Sequence, residues 1–213
     1  MVSRRAVLGG AAATVLAAAS GIGVTVGRSS LETVSEPVGV REETLSETGY
    51  RARVLGQTQF QRELGAGSAS HDIGATNFLA EYDRRATVGS HSETRLGVFA
   101  VVSTPQAQLF GLPLNPIAWA SERRLVELLQ TRYDGVSDVT PVGSEETTVL
   151  DSVVSVDEFD AIGRLSDQEI PLTMHATRVE SRSDVVLALA LYPEPLSEER
   201  PTAFRLFESI EHG

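Results

Sequence analysis

The first 27 residues carry the feature that most limits what this chain can fold into, an arginine pair followed by a long uncharged run. Arg4 and Arg5 stand before Leu8 in the order Ser-Arg-Arg-x-x-Leu, and no charged residue occurs from Ala6 to Gly27. Glycine recurs in this run, and it disfavours a helix interior by about 1 kcal/mol relative to alanine. The segment is therefore a poor candidate for a packed helix, and we expect the folded part to begin after it.

An arginine pair before a weakly apolar stretch resembles a twin-arginine leader, which directs a folded protein to its translocase. We predict that residues 1–28 are this leader, with Arg4 and Arg5 as the export signal and the translocase as a partner during export. Ala17–Ala19 offers a small-residue cleavage site, but the run is also long enough to span a bilayer if the leader is retained. The predicted location is extracellular or at the cell surface, with membrane contact only through an uncleaved leader.

The charge of the remaining chain is strongly negative. All 18 basic residues are arginines, and after residue 28 there are 15 of them against 29 Asp and Glu, which gives a net charge of −14. An acidic chain without lysine suits high salt, where the Debye length falls to about 3 Å at 1 M and carboxylate repulsion is screened. We predict a salt-adapted protein of a halophilic archaeon, and the charge argues against nucleic acid as a partner.

The composition also bounds the number of domains and the chemistry of the chain. The absence of cysteine excludes disulfides and a lipid-modified cysteine after the leader. Residues 29–47 are polar, acidic and short of aromatic side chains, as in a spacer. Residues 48–213 are sufficient for a single domain with one core.

Strand patterns occur in both halves of this domain. The segments predicted as strands are Tyr50–Glu63, Thr76–Arg84, Leu96–Ser103, Thr147–Ile162, Glu169–Val179 and Asp184–Tyr192. The last of these is apolar on both faces, which predicts a central strand. The short interval Glu180–Ser183 before it favours a hairpin.

Two helices are predicted between and after these strands. Asn115 can cap a helix, Pro116 fits its first position, and apolar residues recur at helical spacing until Gly135. The second helix is predicted over Ser197–Glu211. The sequence thus predicts an α+β fold, a mainly antiparallel sheet covered by a central helix and a C-terminal helix after an N-terminal leader.

This order of elements resembles the PsbP-like fold, in topology only. The chain as a whole is also similar to an uncharacterised haloarchaeal exported family, a domain of unknown function behind a twin-arginine leader. The segments that carry this similarity are Ser3–Leu8, Leu96–Pro105, Asn115–Pro116 and Arg200–Phe204. Some such proteins carry a lipid-accepting cysteine, which this chain lacks, and the resemblance implies no known activity.

No sequence pattern identifies a catalytic, cofactor-binding or metal site. The chain has four histidines, His71, His91, His175 and His212, without metal-site spacing. The acidic groups Asp157–Asp160 and Glu145–Glu146 lack the frame of a calcium loop, and a salt-adapted surface explains them. His175, on a predicted strand, is interpreted as a hydrogen-bonded sheet residue.

The sequence leaves one candidate contact surface and two functional readings. Trp119 belongs to the core or, with Phe110 and Leu112, to a patch that binds a partner. The favoured function is a non-enzymatic binding or accessory module at the cell surface, with an unidentified protein or surface partner. The alternative is a cell-surface hydrolase or metal-dependent enzyme, which requires His71, His91 or the acidic groups to converge in one cleft.

Overall fold

The computed structural model describes residues 31–64, 71–86, 94–106, 108–109, 112–113, 136–165, 168–196 and 198–213. About three quarters of these residues lie in strands. The elements are β1 (Leu31–Val34), β2 (Val38–Val40), α1 (Glu42–Thr48), β3 (Arg51–Leu64), β4 (His71–Ala86), β5 (Thr94–Pro105), β6 (Gln108–Leu109), β7 (Leu112–Pro113), β8 (Val136–Val149), β9 (Ser152–Leu165), β10 (Gln168–Ser181), β11 (Asp184–Pro193), α2 (Glu199–Glu208) and β12 (Ile210–His212).

Eight of the strands form one mixed sheet. Its order is β3, β4, β5, β11, β10, β9, β8, and all of these neighbours are antiparallel. β1 pairs in parallel with β4 and lies along the same edge of β4 as β5, but nearer to the start of β4. Thr76 of β4 lies between Gln59 of β3 and Val34 of β1, and Phe78 of β4 lies between Gln57 of β3 and Ser103 of β5. The described residues also form two small sheets, β2 with β12 and β6 with β7.

The centre of the sheet follows from the composition of β11. Its sequence DVVLALALYP is apolar at nearly every position, and seven consecutive residues from Asp184 are buried. A strand that is apolar on both faces has to be covered on both faces, as is typical of a strand inside a sheet. β11 accordingly pairs with β5 and β10, so the predicted central strand is confirmed, as is the hairpin that joins it to β10.

The main core lies between one face of the sheet and α2. Phe207 meets Phe99 edge to face, with ring centroids 5.0 Å apart. Leu206 and Ala203 are buried beside it, and the sheet supplies small and branched side chains such as Ala188 and Val101. A second cluster of Phe159, Met174, Ala176 and Leu189 is buried on the opposite face. Burial of such side chains supplies most of the favourable free energy of folding.

The prediction of an α+β fold covered by a central helix and a C-terminal helix is wrong. The described chain is mostly one large mixed sheet, and it contains two short helices. The predicted helix from Asn115 lies outside the described residues. The C-terminal helix is present but ends at Glu208, because Ile210 leaves it to form β12 against Val40.

Three segments contribute to this error. The segment 136–146, where no strand was predicted, contains proline, glycine and acidic residues, which are typical of loops, yet it forms most of β8, with irregularities after Ser137 and Pro141. The predicted strand Thr147–Ile162 is a hairpin, because Leu150 and Asp151 both adopt positive φ and reverse the chain. Residues 31–47, expected as a spacer, contain β1, β2 and most of α1.

Candidate functional site

A buried carboxylate anchors the start of α2. Glu199 is 0 % exposed, and its Oε2 accepts a hydrogen bond of 3.0 Å from Tyr50 Oη. Its Oε1 pairs with Arg84 of β4. Burial raises the pKa of Tyr50 to about 12, so the phenol remains a donor. The backbone of Gly97 passes so close that a Cβ there would overlap Tyr50 Oη, and glycine makes this approach possible.

Arg200, the next residue of α2, pairs with one acid on β9 and one on β8. Arg200 donates to Glu158 Oε2 at 2.5 Å and to Glu145 Oε2 at 2.9 Å, and its guanidinium lies 5.5 Å from the centre of the Phe204 ring. The hydrogen bond with Glu158 raises the pKa of Arg200. Glu158 and Glu145, two of the acids considered for a cation, thus hold a guanidinium. The described residues contain no group of three or more metal-ligating side chains.

A buried histidine lies beneath the same helix. His175 is 0 % exposed, its Nε2 lies 2.8 Å from Tyr192 Oη, and its ring meets Phe204 edge to face. Burial lowers the pKa of His175 to about 4 and raises that of Tyr192 to about 12, so the pair is a neutral imidazole and a phenol. Nδ1 of His175 has no hydrogen-bond partner in the described residues, so only one ring nitrogen is satisfied.

A third polar cluster joins the two ends of the described chain. Asp184 Oδ2 accepts hydrogen bonds from the Glu36 N–H at 2.6 Å and from Ser103 Oγ at 3.3 Å, and burial raises the pKa of Asp184. The Glu36 carboxylate pairs with Arg182 and His212. These contacts fasten the segment after β1 to the β10–β11 hairpin and to β12, which is a structural role.

One depression lies beside the first cluster, between α1 and the start of β3. Its volume is about 450 Å³, and Glu42, Tyr50 and Arg51 are among its lining residues. Tyr50 is almost fully buried, and its hydroxyl is held by Glu199. The depression therefore borders the buried pair without exposing the carboxylate.

The strand at one end of the sheet, β3, is accessible along most of its described length. Among the described strands only β4 pairs with it, and residues 51–61 are exposed or half-buried throughout. Leu55 is 60 % exposed and Val54 37 % exposed, on opposite faces of the strand. From Val54 to Gln61 the strand carries no charge. Its register with β4 is unbroken from Val54 to Leu64.

A row of amides lies on one face of β3. Gln57, Gln59 and Gln61 alternate with Thr58 and Phe60, so the three glutamines share a face. All three are exposed, and none of them makes a side-chain hydrogen bond within the described residues. Among the described residues, β3 therefore has backbone groups on one edge and side-chain amides on one face that no other strand engages.

The opposite end of the sheet is built differently. β8 contains Pro141, two irregularities in its pairing with β9, and a positive φ at Asp138. It also carries Glu145, which is engaged by Arg200 of α2. Proline, bulges and charges are the devices that prevent an edge strand from pairing with another chain. Within the part of the chain that the structure describes, the edge at β3 is thus open and the edge at β8 is protected.

Comparison with known proteins places the chain in a family. The profile described as "Domain of unknown function (DUF6517)" matches residues 37–211, from β2 to β12. The chain belongs to the DUF6517 family. A search of curated proteins finds no match.

Two solved structures share a weak likeness with this DUF6517 chain. PA94 of Pseudomonas aeruginosa, a protein of unknown function, is 10 % identical with a TM-score of 0.27, over 66 % of this chain and 89 % of its own. LpqN of Mycobacterium tuberculosis, involved in cell envelope biogenesis, is 7 % identical with a TM-score of 0.30, over 76 % and 88 %. At these scores neither carries an argument about the DUF6517 chain.

Several residues selected from the sequence fall outside the described part of the DUF6517 chain. Arg4, Arg5, His91, Phe110 and Trp119 are among them, so the leader and the aromatic patch stay predictions. Of Leu112 and His71 only the backbone is described, in β7 and β4. Within the described helices, none is long and apolar enough to cross a bilayer.

Sequence reasoning missed Glu199, Tyr50 and Asp184. An acid in the first turn of a helix is ordinary on electrostatic grounds, so nothing in the sequence marks Glu199 as buried. By contrast, the alternation of glutamine from residue 57 to 61 could have predicted that one face of this strand is exposed.

Proposed function

We propose that this DUF6517 domain is an exported, salt-adapted binding module without enzymatic activity, which takes up an extended segment of another polypeptide along β3. The observation that carries the proposal is a contrast between the two edges of the sheet: β3 is uncharged from Val54 to Gln61 and has β4 as its single partner among the described strands, whereas β8 is a protected edge. Binding by strand addition uses backbone hydrogen bonds for affinity and alternate side chains for specificity.

The dimensions of β3 suit this mode of binding. Val54 to Leu64 keep one register with β4, and no other described strand pairs with the backbone donors and acceptors on the other side of β3. Each additional hydrogen bond contributes about 0.5–1.5 kcal/mol net, so several together give a stable complex. Val54 and Leu55 add apolar contacts on the two faces.

The proposed location rests on the sequence. Arg4 and Arg5 before an uncharged run support export by the twin-arginine translocase, and the net charge of −14 after residue 28 supports a salt-adapted surface. The expected place of action is the cell surface or the medium, with the retained leader as the proposed membrane contact. The hydrolase or metal-enzyme alternative stays a prediction, since the side chains of His71 and His91 are outside the described residues.

A photo-crosslinking amino acid at position 59 tests the proposal in the native host. Gln59 lies in the middle of the open edge, whereas Val153, 72 % exposed on β9, lies far from it and serves as the control position. We expect irradiation of intact cells to give a discrete polypeptide adduct from position 59 and none from position 153. The absence of an adduct at position 59, in a variant that melts like the natural protein, would contradict strand addition at β3.

A further inference from the structure

We infer that the segment taken up at β3 is β3 of a second copy of this chain, in an antiparallel pair whose twofold axis passes at Gln59. The inference rests on the proposed function, because it names the partner of the same edge. The two eight-stranded sheets would then join into one continuous sheet through an isologous contact, in which each copy uses the same strand.

The first argument is the self-complementarity of the glutamine row. In this register Gln57 stands opposite the partner's Gln61, and Gln59 stands opposite the partner's Gln59. A primary amide both donates and accepts hydrogen bonds, so identical side chains satisfy one another across a strand pair. The three glutamines, which find no side-chain partner within the described part of one copy, would all find one in the dimer.

The opposite face and the neighbouring register support the same axis. On that face Thr58 stands opposite the partner's Phe60, a pairing of two residues that favour strands. A shift of the axis to Thr58 would place Gln61 opposite the partner's Leu55 and leave an amide without an amide partner. An axis between Thr58 and Gln59 would turn the glutamines of the two copies to opposite faces of the joined sheet, because the side-chain period of a strand is two.

The second argument is charge. The chain carries a net charge of −11, so two copies that met through most of their surface would oppose acid to acid. β3 is uncharged from Val54 to Gln61, and in the proposed register Arg53 falls opposite position 65 while Arg62 falls opposite Gly56. No two like charges face each other, whereas like charges opposite one another destabilise a strand pair.

The absence of cysteine makes a direct test of the register possible. Residues opposite each other in an antiparallel pair have Cα atoms about 4.5–5.5 Å apart, within the range of a disulfide. Full-length chain with Gln59→Cys is expected to form a covalent dimer under mild oxidation. Chains with Gln57→Cys alone or Gln61→Cys alone are expected to remain uncrosslinked, and a mixture of these two is expected to crosslink.

Charge substitution at the axis gives a second, non-covalent readout. We expect Gln59→Lys and Gln59→Glu each to weaken the dimer by about tenfold or more in sedimentation at moderate salt, and their equimolar mixture to restore it. Val153→Lys, on an exposed part of β9, should leave the dimer unchanged. Circular dichroism and melting curves confirm that each variant is folded.

The outcomes separate this inference from the proposed function. A monomeric natural chain at about 100 µM, or crosslinking of Gln57→Cys and Gln59→Cys alike, would overturn the inference. If the chain is monomeric while position 59 still crosslinks to a different polypeptide in cells, strand addition at β3 stands and the second copy is excluded. If position 59 crosslinks to nothing, both proposals fall.

Discussion

Glu199 and Arg200 are consecutive residues of α2, and their side chains pair with strands in opposite halves of the sheet. Glu199 reaches Arg84 on β4, and Arg200 reaches Glu158 on β9. The central strands β5, β11 and β10 lie between these two anchor points. The helix is therefore positioned by two ion pairs of opposite polarity in addition to its apolar contacts with Phe99.

Removal of the buried carboxylate should loosen this attachment. We expect Glu199→Ala to reduce the free energy of unfolding by about 3 kcal/mol, because Arg84 and the buried Tyr50 hydroxyl both lose their partner. Glu199→Gln keeps an acceptor for Tyr50 and should cost less. Urea unfolding at constant salt measures both, and equal losses in the two variants would contradict the assigned contacts.

The close approach at Gly97 predicts a strong effect of a single methyl group. Gly97→Ala should destabilise the domain by about 2 kcal/mol or more, since the new Cβ overlaps Tyr50 Oη and lies 3.3 Å from Glu199 Oε2. Gly143→Ala in β8 is the matched control, because its Cβ meets no atom within 4 Å. Melting temperatures of the two variants should differ clearly, and similar values would disprove the contact.

Stability should fall in mild acid because of His175. Burial lowers the pKa of His175 to about 4, below the ordinary 6.5, so the unfolded chain binds a proton that the folded chain resists. The contribution of His175 to the free energy of unfolding is fully present above pH 6.5 and is lost as the pH falls toward 4, by up to about 3 kcal/mol. The measurement is the free energy of unfolding between pH 7 and pH 4.5. His175→Gln should show a shallower decrease than the natural protein, and parallel curves would exclude His175 as the cause.

The acidic composition predicts stabilisation by salt. We expect the melting temperature to rise from dilute buffer to molar potassium chloride, because screening reduces repulsion among the carboxylates. A matched series in glycerol controls for general solvent effects. A melting temperature that is independent of salt would refute the salt-adapted surface.

The sequence revealed those elements whose pattern is local. β11 was recognisable from its continuous apolar run, and β3 from its extended character, because each depends on side chains within one segment. α2 was placed correctly in the chain, although the helix ends at Glu208 and was predicted to continue to Glu211. In these cases the side chains within one segment are enough to predict its structure.

Other elements depend on partners that are distant in the chain. β1 acquires its structure by pairing with β4, about 40 residues away, and β8 is a strand in spite of its proline and glycine because β9 holds it. The turn at Leu150 and Asp151 lacks the glycine or asparagine that marks such hairpins. The buried pair His175 and Tyr192 arises from the β10–β11 hairpin together with α2, which no single segment specifies.

The position of β11 also determines when the domain can fold. This strand lies between β5, which ends about 80 residues earlier in the chain, and β10. Before β11 is inserted, β3–β5 and β8–β10 are separate groups of strands with unpaired apolar edges, which are liable to associate with other chains. The sheet can therefore close only after β11 has been synthesised, and the long loop closure between β5 and β11 slows folding.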